Sequence, residues 1–268
     1  MSFNLALILT VLTAFTGVVV LINRFWYAKR LAESDDKSNV AANTVIEYSR
    51  SFFPVLLFVL VIRSFIFEPF RIPSGSMMPT LFQGDFIFVK KYAYGLRWPV
   101  IEKKFLETGE PQRGDVVVFR LPENPSINYI KRVVGLPGDR IVYSNHQILV
   151  NGEKVALSRD PEKPEEVIWD QKRNREVVVP RWLERLDDRE HAILIENPAY
   201  SIRDGEYVIP EGQYFMMGDN RNNSTDSRFI GAIPERYLVG EATRIWMHLD
   251  LSDGLEWPDW GRIGTKIQ

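Results

Sequence analysis

The stretch QGDFIFV, residues Gln83–Val89, places a Gly-Asp pair immediately before an apolar run. The same arrangement returns in RGDVVVF at Arg113–Phe119 and in PGDRIVY at Pro137–Tyr143. Gly-Asp favours a turn, and β-branched or aromatic residues suit the half-buried face of a strand. The Asn-Gly pair of ILVNGEKV, Ile148–Val155, adds the signal of a tight hairpin. Because these units recur at irregular intervals, they indicate an all-β domain, barrel-like or built of two coiled sheets, and not a repeat array.

Two apolar segments precede this β region. The run Phe3–Ile22 has no charged residue, and a helix of that length can cross the ~30 Å hydrocarbon core of a bilayer. Basic residues follow this run instead of preceding it, which favours a retained anchor over a cleaved export signal. The second segment, Ser51–Phe67, is shorter and contains a proline and an arginine, so a buried core helix is an alternative. We predict transmembrane helices at residues 1–22 and 51–68.

The polar loop between these segments, residues 23–50, predicts the orientation in the membrane. Its basic residues are Arg24, Lys29, Arg30, Lys37 and Arg50, whereas the short N-terminus has only its amino group. Cytoplasmic loops carry an excess of lysine and arginine. We therefore expect a cytoplasmic loop, with both termini and all residues after 68 on the opposite side of the membrane.

A charged stretch divides the β region. Residues 156–199 are dense in charge and hold only short apolar runs, so we interpret them as an inserted, more solvated subdomain. The β domain is then predicted at 69–155 and 200–268. Close to the end of the chain, Trp257 and Trp260 fit either a membrane interface or ordinary core packing.

The composition limits the chemistry. The net charge is −2 and there is no cysteine, which excludes thiolate catalysis and gives no reason to expect a nucleic-acid partner. The three histidines do not have metal-ligand spacing, so we expect no metal and no cofactor, although a histidine-based triad stays open. A serine nucleophile can also use a lysine whose charged form is disfavoured by burial.

One turn and two lysines are candidates for such a pair. The stretch RIPSGSMMPTL, Arg71–Leu81, has the Ser-Gly-Ser composition of an exposed, sharply bent turn. In INYIKRVVGLPGD, strand alternation puts Lys131 on one face with Tyr129 and Val133. Lys90 has comparable apolar neighbours in DFIFVKKYAY, and sequence spacing does not decide which lysine meets the turn.

Three stretches together resemble a known family. IPSGSMMPTL, YIKRVVGLPGD and GDNRNNSTDSR occur in this order after two apolar segments, as in the bacterial type I signal peptidases, also called leader peptidases. The similarity extends from Ser51 to about Gly240. It implies a multi-pass protein of the bacterial inner membrane, with an all-β catalytic domain on the periplasmic side. The implied activity is removal of N-terminal signal peptides from exported preproteins.

The resemblance assigns roles to the motif residues. Ser76 is implied as the nucleophile and Lys131 as the general base that accepts its proton. The hydroxyl of Ser74 and the backbone N–H of Ser76 are implied as the oxyanion hole, whose donors stabilise developing negative charge.

The third motif supplies the implied supporting residues. Ser224 is expected to hydrogen-bond and orient the catalytic lysine. Two ion pairs are expected, Asp226 with Arg228 and Asp219 with Arg132. Asn222 stands where relatives commonly have aspartate, which leaves the network of this loop open.

The family cuts precursors after small residues at the first and third positions before the scissile bond, an Ala-x-Ala pattern. By resemblance, shallow apolar pockets enforce this choice; their residues are Phe70, Ile72, Met77, Leu81, Ile87, Val118, Tyr129 and Ile130. The substrate is expected to bind extended beside Ile72–Ser76 and Ile127–Lys131. Expected partners are signal-peptide-bearing preproteins, membrane lipid and the protein export machinery.

Three other functions are weighed against this one. A self-cleaving serine-lysine repressor-type protease is soluble and binds DNA, which two apolar segments and a near-neutral charge disfavour. A catalytically idle, anchored peptide-binding protein has no need for the serines and lysine of the three motifs. A metalloprotease is disfavoured because the sequence has no HExxH cluster.

Overall fold

A computed structural model of the chain describes residues 5–27, 40–101, 103–170, 175–196, 203–249 and 260–267. The helices are α1 Leu5–Ile22, α2 Val40–Val61 and α3 Ser227–Ile230, with π-helical turns at Asn23–Tyr27 and Ile62–Ile66 and 3-10 turns at Gly75–Met77, Lys91–Tyr94, Glu235–Tyr237 and Trp260–Arg262. The strands are β1 Phe67–Arg71, β2 Asp85–Lys90, β3 Leu96–Arg97, β4 Lys104–Leu106, β5 Val116–Leu121, β6 Asn124–Gly135, β7 Arg140–Ser144, β8 Gln147–Val150, β9 Glu153–Lys154, β10 Ala156–Arg159, β11 Glu165–Asp170, β12 Arg175–Leu186, β13 Arg189–Leu194, β14 Gly205–Val208, β15 Gln213–Met217, β16 Ile233–Pro234 and β17 Leu238–His248.

The first of two compact units comprises Met1–Glu68 and Gly95–Glu107. In this unit α1 packs against α2. The ring of Phe53 lies close to Gly17, and a Cβ added at Gly17 would lie 2.8 Å from that ring. The segments Leu5–Phe25 and Asn43–Ile66 are long and apolar enough to cross a membrane.

The second helix is longer than the sequence predicted. It begins at Val40, so residues 40–50, predicted as part of the polar loop 23–50, are helical. The apolar run locates a span but not the end of a helix. The preceding residues, AANTVIEYSR, contain no glycine or proline, so the helix continues through them into the polar region.

The hairpin β3–β4 belongs to the same unit as the two long helices. The rings of Trp98 and Phe105 lie 4.7 Å apart, and Phe105 also makes an edge contact with Phe65 at 6.1 Å. Ile101 at the hairpin turn is 74% exposed. The hairpin therefore presents large apolar side chains outside any core.

The second unit, Pro69–Tyr94 and Thr108–Gln268, is built on a seven-stranded sheet of order β1-β2-β17-β5-β6-β15-β16. The pairs from β2 to β16 are antiparallel, which confirms the mostly β fold. Strand β5 is buried on both faces: Val118 packs in one apolar cluster and Val117 in another. Burial on both faces explains why its first four residues, Val116–Phe119, are all apolar instead of alternating.

The Gly-Asp pairs form the turns that the sequence predicted. The glycines have φ of +90°, +91° and +84° at Gly84, Gly114 and Gly138. A glycine at the third position of a type II turn adopts positive φ without steric cost. The carboxylate of each following aspartate accepts a hydrogen bond from the N–H three residues earlier, at 2.7, 2.9 and 2.7 Å for Asp85, Asp115 and Asp139.

The charged residues 156–199 carry a separate four-stranded sheet, in which β12 pairs with β10, β11 and β13. A further sheet has the order β14-β7-β8-β9. Near the C-terminus, Ile245 and Thr265 share a backbone hydrogen bond, and Trp260 is 70% exposed. Trp257 lies outside the described residues.

Candidate active site

The turn after β1 carries Ser76. Ser74 is extended, with φ of −145°, and the 3-10 turn Gly75–Met77 follows it. Met77 and Leu81 are fully buried and joined by a backbone hydrogen bond of 2.9 Å, so they fix the turn to the core. Ser76 itself is only 9% exposed.

Lys131, on strand β6, contacts Ser76. It is 4% exposed. Its Nζ lies 2.7 Å from Ser76 Oγ and 2.7 Å from the carbonyl oxygen of Ile130, with the Tyr129 ring 5.4 Å away. Lys90 instead lies 3.5 Å from Glu241, and its side chain is 36% exposed. Of the two lysines that the sequence left open, the structure brings Lys131 to the serine.

Burial shifts the Lys131 amine toward its neutral form. Burial lowers the pKa of its amine from 10.5 to about 8, because desolvation penalises the charged form. The carboxylates of Asp226 and Asp219 oppose this shift, and Arg228 adds to it. With that pKa about a tenth of the amine is unprotonated at pH 7, and the neutral form predominates above about pH 8.

Two buried ion pairs lie behind this site. Arg132 Nε and Nη2 reach Asp219 at 2.8 and 2.7 Å, and Arg228 Nε and Nη2 reach Asp226 at 2.8 and 2.8 Å. Burial alone would raise the pKa of each carboxyl group, but the paired guanidinium holds it below its usual value. Both carboxylates thus stay charged next to the lysine.

Ser224 and Ser74, the other two serines to which the resemblance gives a role, lie in different surroundings near Ser76. Ser224 Oγ is buried and has no hydrogen bond of ordinary geometry among the described residues, although its hydroxyl contributes weakly to the low pKa of Asp226. Besides Ser76 Oγ, Lys131 Nζ contacts the carbonyl oxygen of Ile130. Ser74 is exposed, and its side chain does not cap the turn that it precedes.

Two residues that the sequence reading did not single out hold the nucleophile turn. Asn220 donates from its backbone N–H to the Ser76 carbonyl at 3.1 Å and from Nδ2 to the Gly75 carbonyl at 3.1 Å. A Cβ at Gly218 would lie 2.5 Å from Ser76 O and 2.3 Å from Ser224 Oγ. Both belong to the GDN tripeptide, residues 218–220. Glycine, which has no side chain, is the sequence signal that another part of the backbone approaches closely. Asn222 accepts a hydrogen bond at Oδ1 from Glu196 N at 3.0 Å.

The predicted pocket residues are concentrated in one place. All but one belong to or pack against a single apolar cluster of the main sheet: Phe70, Ile72, Met77, Leu81, Ile87, Val118 and Ile130. Tyr129 packs against a different cluster. Residues 124–128 of β6 are exposed, which leaves that edge of the strand accessible. Within the described ranges, no group of three histidine, aspartate or glutamate side chains is suited to a metal ion.

The family model described as signal peptidase, peptidase S26, matches residues 45–247. The chain belongs to this signal peptidase family. Signal peptidase I of Pseudomonas fluorescens is 41% identical over 98% of this chain and 99% of its own, and that of Pseudomonas aeruginosa is 42% identical over 99% of each. A crystal structure of a signal peptidase I from Enterococcus faecalis V583 has 26% identity and a TM-score of 0.33, covering 49% of this chain and 96% of that one.

Membership of the signal peptidase family makes the chain an enzyme, a serine endopeptidase that hydrolyses peptide bonds. Its two N-terminal apolar helices fit an anchored member of that family.

Proposed function

We propose that the chain is a membrane-anchored endopeptidase that removes N-terminal signal peptides, using Ser76 as nucleophile and Lys131 as general base. The observation that carries this proposal is the 2.7 Å separation of Lys131 Nζ and Ser76 Oγ. It is supported by burial of the lysine, which lowers the pKa of the amine to about 8. A base with a pKa near the working pH is the most effective in proton transfer.

The proposed reaction has two halves. Neutral Lys131 takes the proton of Ser76 as Oγ attacks the scissile carbonyl, and the backbone N–H of Ser76 with the Ser74 hydroxyl binds the oxyanion. The ammonium then gives its proton to the leaving amine, which departs and leaves an ester on Ser76. In the second half Lys131 takes a proton from water as its oxygen attacks the ester carbonyl. The bond from the acyl carbon to Ser76 Oγ then breaks, the cleaved signal peptide leaves with a new carboxyl group, and the proton returns from Lys131 to Ser76 Oγ.

The preference for small residues at the first and third positions is proposed from the packing. Met77, Leu81 and Ile87 are fully buried beside the nucleophile turn. A large substrate side chain would have to displace these close-packed groups, whereas alanine would not. The exposed start of β6, which includes Ile127, is proposed to pair with the extended precursor.

The location is proposed to be the bacterial inner membrane, with two spans and the catalytic domain on the periplasmic side. The basic residues 24–50 support a cytoplasmic loop. Membrane lipid is a proposed partner, because the exposed Trp98, Ile101 and Phe105 share a unit with the two apolar helices. Preproteins and the export machinery are proposed partners because an anchored site raises the effective concentration of emerging precursors.

The test uses the full-length protein in lipid vesicles and a precursor with an Ala-x-Ala site. Wild type is compared with Ser76→Ala, Lys131→Ala and the matched lysine control Lys90→Ala. We expect a single cut after the second alanine by wild type and Lys90→Ala, and none by the other two. Binding of the precursor by a folded but inert wild type would instead identify an anchored peptide-binding protein.

A further inference from the structure

The separate sheet of residues 156–199 contacts the loop Gly218–Asn223, here called the GDN loop, which lies at the active site. Leu194, the last residue of β13, donates from its N–H to Asp219 O at 2.9 Å. Its carbonyl accepts from the N–H of Arg221 at 3.0 Å, which makes a parallel bridge opposite Asn220. The inserted sheet thus continues through β13 into the backbone of the loop that holds Ser76.

An ion pair strengthens the same connection. Glu184 on β12 accepts two hydrogen bonds from Arg221, Oε1 from Nη1 at 2.7 Å and Oε2 from Nη2 at 2.5 Å, and both side chains are 1% exposed. Burial alone would raise the pKa of Glu184, but attraction by Arg221 holds it well below its usual range. A parallel two-bond contact between guanidinium and carboxylate fixes orientation as well as distance.

His191 is the other titratable side chain against Glu184. Its Nε2 lies 3.3 Å from Glu184 Oε2. Burial is the main cause that lowers the pKa of His191, and repulsion from Arg132 lowers it further. The ring is therefore neutral at neutral pH. Arg221 is therefore the cation that compensates the Glu184 carboxylate.

The residue next to Arg221 reaches the nucleophile turn. Asn220 donates to the carbonyls of Gly75 and Ser76, both at 3.1 Å. On the other side, the Arg221 carbonyl accepts from Arg228 Nη2 at 2.8 Å. The backbone of the GDN loop is thereby held from the inserted sheet on one side and from the Asp226–Arg228 pair on the other.

We propose that Glu184 is a positioning residue for catalysis, acting through Arg221 and Asn220 on the backbone of Gly75 and Ser76. The proposal rests on the proposed function, and it gives the inserted sheet a part in the reaction. Buried ion pairs add little stability compared with apolar packing, but they fix geometry. Here the geometry fixed is that of the turn that carries the attacking oxygen and one oxyanion donor.

The test removes the charge of Glu184 with little change in shape. Glu184→Gln is compared with Glu190→Gln, a matched control on the same sheet whose partner is Arg185 in an exposed pair at 3.1 Å. Since a misplacement of about 1 Å costs about 100-fold in rate, we expect kcat of Glu184→Gln to fall between 10- and 100-fold. KM should stay within about twofold, and Glu190→Gln should match wild type.

Two further readouts separate positioning from a general loss of structure. Amide hydrogen exchange at Asn220 and Arg221 should speed up in Glu184→Gln, while the amides of β5 stay protected. Combining Glu184→Gln with Arg221→Gln should lower kcat no further than the worse single change, because both act through one contact. Glu184→Asp, which keeps the charge, should recover part of kcat and serves if Glu184→Gln does not fold.

The proposal is overturned if a folded Glu184→Gln keeps wild-type kcat and amide exchange, or if only its KM changes; where Glu184→Gln does not fold, the same outcome in Glu184→Asp overturns it. It is also overturned if Glu190→Gln loses as much activity. Ser76→Ala in the same assay keeps the two proposals apart. Activity retained by Ser76→Ala contradicts the proposed function, whereas an inert Ser76→Ala with normal Glu184→Gln contradicts the positioning role alone.

Discussion

Gly218→Ala is predicted to disable the enzyme while leaving the fold intact. The added Cβ would lie 2.5 Å from the carbonyl oxygen of Ser76 and 2.3 Å from Ser224 Oγ. Rotation can move Ser224 Oγ away but not Ser224 Cβ, which would lie 2.6 Å from the new group, and Ser76 O is backbone that moves only with the nucleophile turn. Gly218 has no positive φ, so alanine is compatible with the local conformation.

The size of the effect follows from the required movement. Ordinary van der Waals contact begins at 3.4 Å, so the backbone of Ser76 must retreat by about 0.9 Å. Ser76 Oγ now lies 2.7 Å from Lys131 Nζ, and a shift of that size takes the pair out of hydrogen-bond range. A misplacement of about 1 Å costs about 100-fold, or about 2.7 kcal/mol of activation free energy.

The assay is kcat/KM on an Ala-x-Ala precursor, together with the free energy of unfolding from urea titration. Gly152→Ala is the control, because Gly152 lies away from the site in open space at φ of +88°. We expect the control to lose about 1 kcal/mol of stability through backbone strain and no kcat. Normal kcat/KM in a folded Gly218→Ala would refute the claim that the GDN loop sets the position of Ser76.

Three more outcomes are expected. Because Lys131 must be neutral to act and its pKa is about 8, kcat/KM should rise about tenfold between pH 7 and pH 9; a profile flat in this range would contradict the assignment of the base. The pKa of Lys131 is lower in the folded chain than the 10.5 of the unfolded one, so the unfolded chain binds more protons and the free energy of unfolding should rise with pH from about 8 to 10.5. Lys131→Met should remove that rise in urea titrations. Asp226→Asn should leave Arg228 buried without its counter-charge and lower the free energy of unfolding by about 3–5 kcal/mol, measured by thermal denaturation. Glu206→Gln, which breaks an exposed pair, should lower it by under about 1 kcal/mol. Equal effects of the two changes would show that burial is not the deciding factor.

Local sequence predicted the local structure well. The three Gly-Asp pairs that precede apolar runs, at Gly84, Gly114 and Gly138, form turns with positive φ at glycine and a carboxylate hydrogen bond back to the chain, because both features depend on residues at most three apart. The two apolar runs became long helices for the same reason, since length and hydropathy are properties of one segment. The start of the second helix at Val40 was missed, because helix-compatible polar residues extend it beyond the apolar run.

The candidate site was predicted in part. The motifs indicated Ser76 and Lys131 by resemblance, but strand alternation alone did not separate Lys131 from Lys90. The structure places Ser76 Oγ and the Ile130 carbonyl at Lys131 Nζ, and the orienting contact from Ser224 stays a prediction. Glu184 was not predicted, since a single glutamate in a charged stretch has no pattern that marks it as buried.

The sequence by itself therefore determined the turns, the strands, the two apolar helices and the kinds of chemistry open to a chain without cysteine. Only the tertiary structure decided which groups meet. Ser76 and Lys131 are 55 residues apart, and the pairing of β6 with its neighbours and the packing of Met77 and Leu81 bring them to 2.7 Å. Glu184 and Arg221 are joined across 37 residues in the same way. Such contacts depend on the register and burial of distant segments, which local propensity does not encode. Burial in the folded chain also lowers the pKa of Lys131 enough for it to act as a base.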